Sequence, residues 1–179
     1  KIKMKEELYG QNNAKDQFIQ ILCQWISNPK SGTNVIGLHG PPGVGKTSFI
    51  QNSVSKILKR PFSFISLGGA TDSSLLDGFS YTYEGATYGK IIESIINTQC
   101  MNPVIYFDEL DKISNTSKGD ELWNVLTHLT DTTQNNHFTD KYFGNIGFDL
   151  SKALFIFSFN DIEKINKILF FSSFICFRT

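Results

Sequence analysis

The sequence predicts an α/β fold in which a parallel sheet is sandwiched between helices. Three observations carry this. Four short runs, VIGLH (35–39), FSFISL (62–67), PVIYFD (103–108) and ALFIFSF (153–159), are largely apolar. Strands of that kind are buried on both faces, as in a parallel sheet covered by helices. Stretches of helical periodicity fall between them, so strand and helix alternate along the chain. A glycine-rich turn joins the first strand directly to a helix.

The elements follow in order. Phe18, Ile21, Leu22, Trp25 and Ile26 recur at helical spacing and predict an amphipathic helix over 12–27. NPKSGTN (28–34) is a loop, and VIGLH is the first strand. Lys46 to about Leu58 is helical, with Phe49, Ile50, Val54, Ile57 and Leu58 on one side. FSFISL is the second strand. A helix is expected over Tyr88–Gln99, with Ile91, Ile92, Ile95 and Ile96 as its apolar stripe. PVIYFD is the third strand, Asp120 to about Leu129 a helix, and ALFIFSF the fourth strand. The final apolar stretch, ILFFSSFICF, is interrupted by Ser172 and Ser173 and is shorter than the roughly 20 residues a membrane span needs. It reads as buried strand or helix.

The chain has 179 residues and reads as one domain or most of one. Lys and Arg number 17, and so do Asp and Glu. Zero net charge and the absence of a basic stripe argue against a nucleic-acid surface. Cys23, Cys100 and Cys176 form no paired framework, so a reducing compartment is expected, with the three as small buried hydrophobes. His39, His128 and His137 have no metal-ligand spacing with them. The N-terminus KIKMKEELYGQ is charged and has no apolar signal region. An intracellular, cytoplasmic location without membrane attachment is the expectation.

The joining turn is GPPGVGKT, Gly40, Pro41, Pro42, Gly43, Val44, Gly45, Lys46 and Thr47, followed by Ser48. It fits G-x-x-x-x-G-K-[ST] and lies between strand and helix, as that motif requires. The glycines let successive amides face one anion, and the helix N-terminus adds partial positive charge at the same point. Lys46 can reach the outer phosphates of ATP, and the Thr47 hydroxyl can ligate Mg²⁺. VIYFDELDK (104–112) supplies the second half: a strand ending in Asp108 and Glu109. Asp108 suits the Mg²⁺ shell, and Glu109 suits polarisation of an attacking water. Asn160 follows the fourth strand directly, at the carboxyl end where open parallel sheets bind ligands. A neutral amide there can orient water; it is equally a turn residue or helix cap before DIEK.

Phosphate loop, Asp-Glu strand end and asparagine, in that order, resemble the AAA+ ATPases. LYGQNNAKDQFIQIL, FSFISLGGATDSSLLDGFSYTYEGATYGKIIESI, NPVIYFDELDKIS and DLSKALFIFSFND resemble the ATPase module of the Lon proteases more narrowly, over roughly residues 6–162. The resemblance implies that Asp108 and Glu109 are the Walker B pair and Asn160 the sensor residue. It implies that Tyr9 and Gly10 lie against adenine. It also implies that Tyr83 sits on a pore loop which, in a homo-oligomeric ring, grips a protein substrate. Glu84 stands where the family usually has an aliphatic residue.

The family pattern fades after Leu169. No arginine follows the asparagine at the expected place, Arg178 comes late, and neither helical lid nor peptidase residues appear. The expectation is therefore a large ATPase subdomain over 1–162 with a divergent or truncated tail over 163–179, the lid missing and no peptidase activity from this chain alone. The function expected is Mg²⁺-dependent ATP hydrolysis coupled to unfolding or translocation of protein in ATP-dependent proteolysis. A nucleotide-binding remnant with little turnover, or an AAA+ ATPase acting on nucleic acid, are the alternatives.

Overall fold

A computed structural model describes residues 11–27, 35–167, 169 and 171–177. Five parallel strands form the main sheet: β1 (Val35–His39), β2 (Phe62–Ser66), β3 (Val104–Asp108), β6 (Leu154–Phe159) and β7 (Ser173–Cys176). Their order is β2-β3-β6-β1-β7. A small antiparallel pair, β4 (Phe138–Thr139) and β5 (Gly147–Phe148), precedes β6.

The helices are α1 (Asn12–Ser27), α2 (Lys46–Phe49), α3 (Ser55–Leu58), α4 (Ser74–Asp77), α5 (Lys90–Thr98) and α6 (Ser117–Thr130). A π-helical stretch, Ile50–Val54, joins α2 to α3, so the helix expected from Lys46 to Leu58 is continuous but locally widened.

The apolar strands conceal a period of two. On β3, Ile105 and Phe107 face one core and Val104 and Tyr106 the other. On β6, Phe155, Phe157 and Phe159 join the first core, and Leu154 and Ile156 the second. The first core is completed by α5 and α6, through Ile91, Ile92, Leu122 and Leu126. The second is completed by α1 and the Lys46–Leu58 segment, through Ala14, Phe18, Phe49, Ile50 and Val54. Burying both sheet faces requires side chains apolar on both sides, and this is why the runs show no alternation.

The last strand joins the sheet beside β1, in register Gly37↔Phe174. Gly37 is required there: a Cβ would lie 2.9 Å from the Phe174 ring and 3.2 Å from that of Phe171. The tail thus covers the sheet with aromatic rings, Phe171 against Phe157, Phe159 and Phe174.

Several expectations need correction. Ile26 is 79% exposed and Ile96 47%, each at the rim of its helical stripe, where the stripe turns away from the sheet. The last helix expected, 120–129, begins three residues earlier, because Thr116 caps it by accepting from the Gly119 amide at 3.3 Å. The cysteines are not buried: Cys23 is exposed, and Cys100 and Cys176 are half-buried. Cys23 lies off the core face Ala14–Phe18–Ile21, Cys100 follows the end of α5, and Cys176 ends an edge strand. Among the described residues no helix is long and apolar enough to cross a membrane.

Candidate functional site: a phosphate loop at the strand ends

Because the main sheet is all parallel, β1, β3 and β6 end on one side of it. Each strand hands a polar group to that edge. The turn after β1 carries Gly40–Gly45, β3 ends in Asp108, and Asn160 follows β6. Pro42, Gly43, Val44, Gly45, Lys46, Thr47 and Ser48 line a cavity of about 370 Å³ together with Asp108, Glu109 and Asn160. Pro41 enters through its carbonyl, which accepts from Lys46 Nζ at 3.1 Å. Gly43 and Gly45 have φ of +77° and +87°, conformations that disfavour side chains, and a Cβ on either would meet nothing within 4 Å. The loop therefore bares its backbone to open space.

Lys46 is the best-constrained member. Its ammonium donates to Gly40 O at 2.6 Å, Pro41 O at 3.1 Å and Asn160 Oδ1 at 2.7 Å. All three of its donors are thereby used. The residue is only 8% exposed. Burial holds its pKa below the usual lysine value, partly offset by the nearby carboxylates of Asp108 and Asp111. A buried cation held by neutral acceptors gains from an anion brought within reach.

The start of the loop is braced from behind. A Cβ on Gly40 would lie 2.7 Å from Phe177 Cβ and 2.9 Å from its carbonyl oxygen. The Phe177 amide donates to His39 O at 2.8 Å, and the Phe177 ring meets Phe49 edge-on with centroids 5.5 Å apart.

Glu109 has φ 60° and ψ 41°, the left-handed region, which costs a side-chain-bearing residue about 1–2 kcal/mol. Its amide donates to Asp108 Oδ1 at 3.0 Å. Its carboxylate lies over Gly68, where a Cβ would come 1.8 Å from Oε2, and Ser66 Oγ donates to that oxygen at 3.5 Å. Sequence reasoning missed Ser66 and Gly68; the LGG that follows the second strand was their only signal. It also missed Tyr106, whose hydroxyl lies 3.2 Å from Thr47 Oγ1. Burial, with hydrogen bonding to Ser158 and Thr47 in opposition, pushes the Tyr106 pKa up to about 12. A single hydroxyl in an otherwise apolar strand was the available sign.

Not every candidate is gathered here. Tyr83 is 69% exposed on the segment between α4 and α5 and does not line the cavity. Tyr9, Gly10 and Arg178 lie outside the described residues; Gln11 donates from Nε2 to Val44 O at 3.5 Å. A second cavity, about 420 Å³, is lined by residues including Asp77, His128 and His137, and no cluster of three metal-ligating side chains occurs among the described residues.

A phosphate loop between β1 and a helix, with an acidic strand end and an asparagine on neighbouring strands, defines a nucleotide-binding α/β domain. The family model for the ATPase family associated with various cellular activities (AAA) matches residues 36–178, and the chain belongs to that family. It is 43% identical over 168 residues to a Lon protease homolog of Acanthamoeba polyphaga mimivirus, covering 93% of this chain and 16% of that protein. It is 41% identical over 162 residues to the Lon protease of Lawsonia intracellularis, covering 90% and 19%. It is 38% identical over 164 residues to a mitochondrial Lon protease homolog of Yarrowia lipolytica, covering 90% and 14%. The chain thus spans less than a fifth of the length of these relatives.

Proposed function

We propose that this chain is the ATP-hydrolysing part of a Lon-like protein-unfolding machine. The observation that carries the reading is the buried Lys46 ammonium in the lining of the cavity, held by Gly40 O, Pro41 O and Asn160 Oδ1, with Asp108 and Glu109 lining the same space. ATP phosphates in the glycine cradle would replace neutral carbonyl contacts to Lys46 with charged ones. The donor set beside them, the Thr47 hydroxyl and the Asp108 carboxylate, is hard oxygen and fits Mg²⁺, which takes one or two carboxylates plus substrate phosphates. Bound there, the ion would neutralise charge on the transferred phosphoryl group.

Glu109 then acts as general base for the attacking water. Its left-handed backbone and the missing side chain at Gly68 let its carboxylate lie over Gly68, at the edge of the residues that line the cavity. Asn160 reads the outer phosphate through Lys46, orienting water without competing for the metal. Tyr83 contacts the protein substrate, in a ring of like subunits. Its exposure and that of Tyr81, at 70%, support a contacting role. Similarity to proteins named Lon protease supports the same class of partner.

ATP turnover of the purified chain, measured alone, with casein and with single-stranded DNA, tests the reading. Stimulation by casein alone is expected. Stimulation by DNA alone would overturn it, and ATP binding without turnover would reduce the function to nucleotide binding.

A further inference from the structure

The segment that carries Tyr83 is strapped at its stems to a loop far along the chain. The Gly89 amide, at its outgoing end, donates to Asp140 Oδ2 at 2.8 Å in a buried bond spanning 51 residues. Asp140 Oδ1 accepts from the Tyr142 amide at 2.9 Å. Asp140 is wholly buried, a position whose desolvation cost these hydrogen bonds offset. The two stems leave no room for side chains. A Cβ on Gly78, whose φ is +76°, would lie 2.8 Å from Asp140 Oδ1 and 2.9 Å from the Gly89 nitrogen, and one on Gly89 would lie 2.0 Å from Leu76 O.

Further contacts run beside this one. The Lys141 amide donates to Asp77 O at 2.7 Å, and its ammonium pairs with the Asp77 carboxylate at 2.9 Å. The Tyr88 ring packs on Phe143 and Tyr142, with both centroid distances 6.1 Å. Between the stems the segment closes on itself, Phe79 donating to Thr87 O at 3.0 Å, so that Tyr81 and Tyr83 project from a braced base.

The loop that holds this base lies between β4 and β5. The chain continues through the buried Leu150 and Ala153 into β6, the wholly buried strand that Asn160 follows, and Asn160 Oδ1 accepts from Lys46 at 2.7 Å. Asp140 therefore joins the Tyr83 segment to the chain that leads, through the partly exposed stretch 141–149 and the buried Leu150 and Ala153, into β6 and on to Asn160.

We propose that Asp140 is a positioning residue that fixes the Tyr83 segment to the chain leading into β6, so that nucleotide held at Lys46 and Asn160 resets that segment. This rests on the reading of Lys46 and Asn160 as phosphate contacts. Asp140 does not line the cavity around Lys46.

Hydrogen–deuterium exchange of the full chain, with and without Mg²⁺-ATP, tests it, with calorimetric ATP binding on the same samples. In the wild type, ATP is expected to change exchange across residues 79–89 by at least about threefold. Asp140→Asn removes one charge-assisted acceptor. It is expected to raise Gly89 exchange roughly tenfold and to abolish the ATP response, with ATP affinity within about twofold of wild type. Should Asp140→Asn fail to fold, Lys141→Ala, which cuts the parallel strap at a half-exposed side chain, is expected to weaken the response at least twofold. An undiminished response in the variant that folds, or no response in a wild type that binds ATP, overturns the proposal. Absence of ATP binding is a separate result: it removes the nucleotide reading and this inference with it.

Discussion

Gly68→Ala isolates the placement of Glu109 from its chemistry. The added Cβ would stand 1.8 Å from Glu109 Oε2, 2.8 Å from its carboxyl carbon and 3.4 Å from its Cβ. The first two contacts lie well inside van der Waals separation, so the carboxylate must swing away. It is the free end of an exposed side chain and can do so at little energetic cost. Gly68 does not have the positive φ of neighbouring Gly69, so alanine fits the backbone, and its smaller unfolded-state entropy contributes a few tenths to about 1 kcal/mol of stability. Folding stability should therefore change by less than about 1 kcal/mol. Turnover should respond differently, because misplacing a catalytic group by about 1 Å costs on the order of 10²-fold. The assay pairs steady-state ATP turnover with calorimetric ATP affinity and a thermal melt. The expected result is turnover down about a hundredfold, affinity and melting nearly unchanged. Turnover within about threefold of wild type, or loss of ATP binding, would refute the placement of Glu109 over Gly68.

Other outcomes follow from the same geometry. Asn160→Ala removes the amide that orients water beside Lys46 and should lower ATP turnover on the order of 10²-fold, with ATP binding by calorimetry retained. Phe177→Ala removes a ring that is 3% exposed and packs edge-on against Phe49, and should cost about 3–5 kcal/mol in urea unfolding. Tyr106 has its pKa raised from 10.0 to about 12 in the folded chain, so the native state retains that proton longer than the unfolded state. The stability it contributes is fully present below about pH 10 and falls by about 2–3 kcal/mol as pH rises through 12. Urea unfolding of Tyr106→Phe against wild type at pH 9 and pH 11.5 should show the wild type losing ground only at the higher pH.

The sheet was legible because parallel strands covered on both faces must be apolar on both sides, and β1, β3 and β6 stand out as such. Asp108 and Asn160 were legible because one ends such a run and the other directly follows one, and Lys46 because GPPGVGKT joins such a run to a helix. What escaped notice depends on pairings between distant segments. Gly68 matters because Glu109 lies over it, Tyr106 because Thr47 does, and Asp140 because Gly89 does. The pair β4 and β5 has two residues in each strand, too short for a periodic signal. The last strand, SFIC, could be read as strand or helix until its pairing with β1 decided it. Ile26 and Ile96 illustrate the converse error: helical spacing gives the direction of a stripe but not the width of the surface that covers it.

The central claim is that the cavity around Lys46, Asp108 and Glu109 hydrolyses ATP with Glu109 as base. Glu109→Gln, assayed for ATP affinity and turnover together, tests it most directly. Affinity should stay within about twofold of wild type and turnover should fall by about 10²-fold or more, the worth of a general base. Turnover that survives the substitution would contradict it.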